Sequence, residues 1–235
     1  MWLSLKVENQ SKIGIVNRQT MRPAWGTGNQ ILTITTKVTL KETVLGTTDR
    51  AIRLRYEIID FDTQSVGPGK IELPSAWAAP KEITKASVDI TLIPTATVIN
   101  LGNSDMLPPE TLKRLQSLGE DIRSCWILPP NDCNVGDIWT RSHSPSKDSL
   151  DRGVKQIQSH YRMADMQKEM ATIAADFEFE ISTDTPKRRA LGSQMIYLSR
   201  NVGVVKVSRL TKIVSQNQGH SKELQRSDLL LQRLG

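Results

Sequence analysis

Long segments of this sequence alternate between apolar and polar residues with a period of two, and this pattern constrains the fold more than any other feature. In residues 31–41 one face carries Leu32, Ile34, Val38 and Leu40, and the other carries Thr33, Thr35, Lys37, Thr39 and Lys41. After a turn that we predict at residues 42–48, the alternation resumes over residues 52–58, and it is most regular over residues 171–181. A period of two is typical of a strand with one buried and one exposed face. The sequence therefore predicts long antiparallel strands, the first two of which form a hairpin.

Further segments of the chain are also predicted to be strands. We predict strands at residues 3–7, 12–21, 88–93, 97–101, 155–166, 192–200 and 204–215. The tail, residues 220–235, is compatible with a helical stripe or with an edge strand, and the strand is the preferred interpretation. Three segments rich in turn-forming or charged residues are predicted to be loops: residues 67–80, which contain Trp77, residues 142–153 and residues 183–189.

Residues 108–110, Pro-Pro-Glu, begin the one predicted helix. Proline is favoured in a first helical turn, and Leu112, Leu115 and Leu118 then recur at helical spacing. A single apolar stripe predicts that this helix packs across a sheet face. With 235 residues, 38% of them hydrophobic, the chain is long enough to bury a sizeable core. We predict a mainly β fold in a single domain, residues 1–235, with a helical insertion at about residues 105–123.

The two cysteines flank a predicted chain reversal. Between Cys125 and Cys133 lie two prolines, which preset φ, followed by an Asn-Asp pair that tolerates tight backbone. We predict that the reversal brings both cysteines within the roughly 7 Å Cα separation that a disulfide needs. The alternative interpretation is two unpaired, buried thiols in a cytosolic protein. A zinc site is not expected, because the cysteines lack CxxC spacing and a nearby histidine.

Charge favours an anionic partner without identifying one. The sequence has 31 Lys and Arg residues against 25 Asp and Glu residues, a net charge of +6. Under the predicted hairpin register, Lys37, Lys41, Arg53 and Arg55 form a cationic face that could bind nucleic acid or an acidic protein. Nucleic acid is the less favoured partner, because aromatic residues make up only 5% of the chain and none lies among these four.

Two observations bear on the cellular compartment. No apolar run approaches the roughly 20 residues that cross a bilayer, and the first residues lack the features of a secretory signal. A cytosolic protein and an exported protein whose signal has been removed both fit this sequence. The predicted disulfide favours export, since such bonds persist in oxidising compartments.

No arrangement of residues predicts catalysis. Asp176, Glu178 and Glu180 share one strand face, which we interpret as a solvated face opposite basic residues such as Arg209 on a neighbouring strand. No nucleophile, base and oxyanion donor occur in a plausible combination. We therefore predict a protein that is not an enzyme and that uses no cofactor or metal ion.

A further pattern extends over most of the chain. The long hairpin of residues 31–61 is followed by residues 93–101, which lead through Leu-Pro-Pro at 107–109 into the helix. Val-Gly-Asp-Ile-Trp then occupies residues 135–139, and a final hairpin turns at Asn-Val-Gly, residues 201–203. This order resembles that of bacterial envelope proteins, often lipoproteins, built on a curved sheet similar to lipoprotein carriers of the LolA and LppX type. No lipobox cysteine precedes the first strand, which leaves membrane anchoring unassigned.

The resemblance implies a strongly curved antiparallel sheet, or half-barrel, whose concave side is closed by the helix and can hold an acyl chain or a partner segment. The protein would then be periplasmic, outer-membrane-associated or secreted, and would bind an amphiphile or an envelope protein. In a second version the same residues make a packed core in a structural or assembly component. The alternative function is that of a cytosolic binder of nucleic acid or acidic protein through the cationic face. The predicted interior residues are Leu32, Ile34, Leu54, Tyr56, Leu112, Leu115, Phe177 and Phe179.

Overall fold

The computed structural model describes most of the chain. The described residues are 3–22, 31–67, 83–84, 86–93, 96–102, 105, 107–130, 133–143, 157–182, 187–217 and 220–234. The predicted loop at 67–80 with Trp77 and the predicted loop at 142–153 therefore lie almost wholly outside them. Within the described part of the chain, no helix is both long and apolar enough to span a membrane.

Within the described residues, eleven strands form one antiparallel sheet, and one helix interrupts their sequence. In chain order the elements are β1 (Gln10–Met21), β2 (Leu32–Thr47), β3 (Ile52–Val66), β4 (Ser87–Ile93), β5 (Ala96–Gly102), α1 (Pro109–Cys125), β6 (Ile138–His143), β7 (Ile157–Gln167), β8 (Met170–Ser182), β9 (Lys187–Ser199), β10 (Gly203–Asn217) and β11 (His220–Leu234). The order across the sheet is β5-β4-β3-β2-β1-β11-β10-β9-β8-β7-β6. Two meanders thus meet where the first and last strands pair, and the predicted mainly β antiparallel fold with one helix is confirmed.

The sheet is open but strongly curved. Eleven strands have ten spacings, which would separate the edge strands β5 and β6 by about 47 Å in a flat sheet. Yet Thr97 of β5 donates a hydrogen bond to the carbonyl oxygen of Trp126 at 3.4 Å, and Arg141 of β6 donates one to that of Leu128 at 2.7 Å. The two edges therefore curl around residues 126–128, which lie directly after α1.

The packed core fills the concave side of this sheet. Trp126, Leu115 and Ile122 are almost completely buried there against residues of both meanders, including Leu54 and Ile196. The helix approaches β4 and β5 closely at its only glycine, where an added Cβ would lie 3.3 Å from Ile99. The helix ends at Cys125, two residues beyond the predicted insertion.

The predicted turn at residues 42–48 is wrong, because β2 continues to Thr47. Val44 still points into the core and is 3% exposed, so the alternation is unbroken. Glu42 occupies an inward position at 2% exposure, and a charged residue on the apolar face is what made this segment resemble a turn. The actual turn follows at Thr48, whose hydroxyl accepts a hydrogen bond from the Ala51 N–H at 2.9 Å.

Three other segments differ from the prediction. Residues 3–6 are not part of the sheet, although Leu3 and Leu5 pack into the core. The last residues of the segment predicted as a charged loop, residues 183–189, belong to β9, which begins at Lys187. The tail is a strand, as preferred, but β11 lies between β1 and β10 in the middle of the sheet rather than at its edge.

Candidate binding surface on the inner sheet face

The registers of neighbouring strands arrange the inner face, the side that contacts Trp126, into rows that cross the sheet. Directly opposite residues share a face, so each row can be read from pair to pair. The Leu32 row contains Leu32, Met21, Gln225, Ile213, Ala190 and Phe179. The Ile34 row contains Ile34, Gln19, Ser227, Thr211, Gly192 and Phe177. The Thr36 row contains Thr36, Asn17, Leu229, Arg209, Gln194 and Ala175.

A polar belt connects the Thr36 row to the last turn of α1. We define this belt as Asn17, Arg209 and Gln194 of the sheet together with Asp121 and Ser124 of the helix. Arg209 forms an ion pair with the Asp121 carboxylate and donates to the Ser124 hydroxyl. Gln194 donates to the carbonyl oxygen of Ser124 at 3.0 Å, and Asn17 donates to Asp121 at 3.5 Å. The belt fixes the C-terminal turn of the helix onto β9, β10 and β1.

Electrostatics hold Arg209 charged at this buried position. Burial lowers the pKa of the Arg209 guanidinium, but the charge of Asp121, the neighbouring Cys125 and the hydrogen bond to Asp121 raise the pKa by more, so the net shift is upward. Removing one member of a buried ion pair of this kind is costly, because the remaining charge stays buried without a partner. The belt is therefore a fixed boundary across the inner face.

A second apolar surface lies beyond the belt. We define it as Leu32 and Ile34 at the β2 end of their rows together with Ala190, Phe177 and Phe179 at the other end, and none of the five belongs to the core cluster around Trp126. The rows between these two ends also contain polar side chains, namely Gln19, Gln225, Ser227 and Thr211. Leu32, Ile34 and Ala190 are buried, whereas the two phenylalanines are half-buried and stack with ring centroids 6.4 Å apart. This surface belongs to the Leu32 and Ile34 rows, which carry no charged side chain between β2 and β8.

A glycine positions one of these aromatic rings. A Cβ added to Gly192 would lie 2.1 Å from the Phe177 ring and 2.7 Å from the Leu210 carbonyl oxygen. The ring of Phe177 therefore lies across the bare backbone of β9, as aromatic side chains do over glycines in sheets. The absence of a side chain at residue 192 leaves the ring flat on the inner face.

On the core side of the belt, a buried hydrogen-bonded chain joins four distant segments. The Trp126 indole N–H donates to the Tyr56 hydroxyl at 2.6 Å, and that hydroxyl donates to the Glu42 carboxylate at 2.6 Å. Arg233 of β11 donates to the other oxygen of Glu42 at 2.7 Å. Burial, followed by the charge of Glu42, raises the pKa of Tyr56 well above its ordinary value, so the hydroxyl stays protonated. This chain ties residue 126 to β2, β3 and β11.

The predicted interior residues divide between these two regions. Leu54, Tyr56 and Leu115 are fully buried in the packed core, while Leu112 is half-buried on α1. The other four, Leu32, Ile34, Phe177 and Phe179, form most of the second apolar surface. The interior is therefore a packed core near the helix and a separate apolar surface beyond the belt.

The predicted disulfide is wrong, because Cys125 and Cys133 are both free thiols. Cys125 ends the helix, and its buried thiol donates back to the carbonyl oxygen of Asp121 at 3.2 Å. Cys133 is half-exposed near Asp137. Burial raises the pKa of the Cys125 thiol to about 12. The argument for export that rested on a disulfide is thereby removed.

The predicted cationic face lies on the outer side of the sheet and is interrupted by acids. Arg55 forms a two-bond ion pair with Asp89 at 2.8 Å, which raises the pKa of Arg55 through the hydrogen bond and the charge of that carboxylate. Lys41 lies 3.4 Å from Glu57. The remaining two predicted members, Lys37 and Arg53, are exposed, and Lys37 is opposite an aspartate on β3. The alternating charges make this face a poor match for a polyanion.

The three strand carboxylates also point outward. Their predicted basic partners are wrong, since Glu178 pairs with Arg189 at 3.1 Å and Arg209 lies on the inner face instead. Among the described residues, no group of three His, Cys, Asp or Glu side chains is arranged to hold a metal ion.

A groove of about 420 Å³ crosses the outer face over β1, β11, β10 and β9. Its apolar lining includes Val16 and Leu230, each 36% exposed. A ligand in this groove would remain largely in contact with water. The inner face is the better candidate, because its apolar side chains lie within the curve of the sheet.

Sequence reasoning missed two charged residues of the inner face, one in the polar belt and one in the buried chain that holds Trp126. Arg209 and Glu42 are charged residues at inward positions of β10 and β2, whose other inward residues are uncharged, and this interruption was the available signal. A charged residue on an apolar strand face requires a partner from elsewhere in the chain.

The fold is similar to that of lipovitellin. A solved lipovitellin structure, described for its lipid–protein interactions, matches with a TM-score of 0.62 over 98% of this chain, at 8% sequence identity. The match covers 25% of the lipovitellin chain, so this protein corresponds to about a quarter of that length. At such low identity the similarity establishes the fold alone. The sequence matches no family model, and no curated protein matches it significantly.

Proposed function

We propose that this protein binds an amphiphile on the inner face of its sheet, as a non-enzymatic component of the bacterial envelope or a secreted protein. The observation that carries the proposal is the second apolar surface, which the polar belt separates from the packed core. Burying apolar area yields roughly 25 cal/mol per Å², so an apolar ligand would gain free energy from the residues of this surface that still expose area. The half-buried stack of Phe177 and Phe179 is its accessible part.

Two likenesses support the same function. The sequence order resembles envelope carriers of the LolA and LppX type, and the fold is similar to lipovitellin, whose structure was described for its lipid–protein interactions. The envelope location rests on the first likeness only. A structural or assembly role is the competing version, in which the second apolar surface never accepts a ligand.

The test is ligand binding by the purified protein before and after solvent extraction. Native mass spectrometry of the protein as isolated should reveal co-purified lipid, and the extracted protein should bind a neutral fluorescent acyl ester. Phe179→Ser should weaken that binding about tenfold, since part of the roughly 1.5–3 kcal/mol from burying a phenylalanine is lost. Leu191→Ser is the matched control, because Leu191 is 38% exposed on the outer face of the neighbouring strand and should leave binding unchanged.

The proposal fails if the wild-type protein carries no lipid and binds no acyl ester after extraction. The structural version would then stand. Equal weakening by both serine variants would also count against the inner face as the site.

A further inference from the structure

Beyond the Leu32 row, the inner face carries two cations that flank a serine. Ser215 of β10 is paired with Arg188 of β9 on one side and with Lys222 of β11 on the other. Directly opposite residues share a face, and Ser215 is two residues beyond Ile213, so all three belong to the inner face next to the Leu32 row. Arg188 and Lys222 are exposed, and Ser215 is half-buried. The three residues form what we call the cation row.

The spacing of the cation row suits a single small anion. Adjacent strands lie about 4.8 Å apart, so the backbones of Arg188 and Lys222 are roughly 10 Å apart on either side of Ser215. Both side chains are long enough to converge over the serine hydroxyl, which can donate a further hydrogen bond. A guanidinium, an ammonium and a hydroxyl together suit a carboxylate or phosphate oxygen.

Neighbouring charges leave these two cations available. Lys212 pairs with Glu223 at 3.6 Å, and Arg189 pairs with Glu178 at 3.1 Å, both on the outer face. Among the described residues, neither cation of the cation row has an ion-pair partner, and the two rows beside it are uncharged from β2 to β8. The positive charge at the cation row is thus not neutralised from the inner face.

The cation row and the apolar rows follow one another along the same strand. From Ser215 to Arg209 of the polar belt, β10 spans six residues, or about 20 Å. The order along it is cation row, Leu32 row, Ile34 row and belt. An elongated ligand would therefore meet positive charge at one end and uncharged side chains along the rest, with the apolar Ile213 and Ala190 next to the cation row.

From this order we infer that the ligand is an anionic amphiphile, with its negatively charged headgroup at Arg188, Ser215 and Lys222 and its acyl chain extending along the strands, across the Leu32 row and then the Ile34 row, toward the polar belt. This inference rests on the proposed function, and it adds the ligand's charge and its direction on the sheet. The second apolar surface, including Phe177 and Phe179, then contacts the chain rather than the headgroup.

The experiment compares a fluorescent long-chain fatty acid with its neutral methyl ester on the full-length, solvent-extracted protein. The wild-type protein should bind the acid about tenfold more tightly than the ester, since two partly exposed charge pairs each contribute modestly. The double variant Arg188→Gln with Lys222→Gln should abolish that preference, chiefly by weakening the binding of the acid. The preference should also shrink at high salt, because exposed charges are screened.

The control is the double variant Arg53→Gln with Lys206→Gln. It removes the same charge from two exposed cations of the outer face, and it should keep the preference for the acid. Circular dichroism should be unchanged in both double variants, since all four residues are exposed.

The outcomes separate this inference from the proposed function. If the acid and the ester bind equally well to the wild type, amphiphile binding stands and the headgroup assignment is wrong. If the inner double variant retains the preference, or the outer double variant loses it, the headgroup lies elsewhere. If neither probe binds, the proposed function and this inference both fall.

Discussion

Replacing Tyr56 by phenylalanine removes one oxygen atom from the buried chain that holds Trp126 to the sheet. That oxygen accepts from the Trp126 indole and donates to Glu42, each at 2.6 Å. The three side chains are 0%, 1% and 2% exposed, so water cannot replace the lost bonds without rearrangement. A buried donor left without a partner costs about 1–3 kcal/mol, and a hydrogen bond to a charged group contributes about 1.5–3 kcal/mol. Because Glu42 keeps its ion pair with Arg233, we expect a total loss of about 3 kcal/mol.

Urea unfolding of the full-length protein measures this loss. With a slope of about 1–3 kcal/mol per molar urea, the midpoint should fall by about 1 M or more. Tyr197→Phe is the matched control, because Tyr197 is half-buried on the outer face and makes no hydrogen bond with a described residue. It should change the free energy of unfolding by less than about 0.5 kcal/mol.

A double-mutant cycle with Trp126→Phe isolates the hydrogen bond itself. Replacing the Trp126 indole by the smaller phenylalanine ring loses packing whether or not the Tyr56 hydroxyl is present, so this loss cancels in the cycle. The coupling between Tyr56 and Trp126 should be at least about 1 kcal/mol. Two results would refute the conclusion that these buried hydrogen bonds hold residue 126 in place. One is additive effects of the two substitutions on the free energy of unfolding, and the other is a loss of stability in Tyr56→Phe no larger than that in the control.

Three further predictions concern the thiols and one turn. In the native protein a thiol reagent should modify Cys133 and spare Cys125, so that Cys133→Ser leaves no reactive thiol until the protein is unfolded. Because burial raises the pKa of Cys125 from 9.0 to about 12, the unfolded chain releases this proton first. The contribution of this thiol to stability is complete below about pH 9 and is lost as the pH rises toward 12, so urea unfolding of Cys125→Ala should show a weaker decline over that range. Gly203 has a φ of 80°, and an added Cβ would lie 2.4 Å from the Trp126 ring, so Gly203→Ala should destabilise by more than about 2 kcal/mol in the same assay. Gly136→Ala, at a φ of 95° with nothing within 4 Å, should cost only the backbone strain of about 1 kcal/mol, and an equal loss in both alanine variants would contradict a role for the ring contact.

Much of the local structure was predictable because its signal is local. The alternation in residues 31–41 and 171–181 specified strands whose inward residues are those observed, and Leu115 and Leu118 indicated the buried side of the helix. The disulfide was not predictable from turn-forming residues alone. Its formation depends on where each thiol points, and at the end of the helix the Cys125 thiol donates to the carbonyl oxygen of Asp121 instead.

By itself, the sequence determined which segments are strands, which is the helix and which faces are apolar, since these follow from side-chain periods of two and 3.6 residues. Only the tertiary structure decided that β1 pairs with β11, that Glu42 and Arg209 point inward, and that the two sheet edges meet residues 126–128. The physical reason is that strand pairing joins residues more than 200 positions apart. A buried charge is likewise stable only where its partner arrives from another element, as Asp121 of the helix does for Arg209 of the sheet.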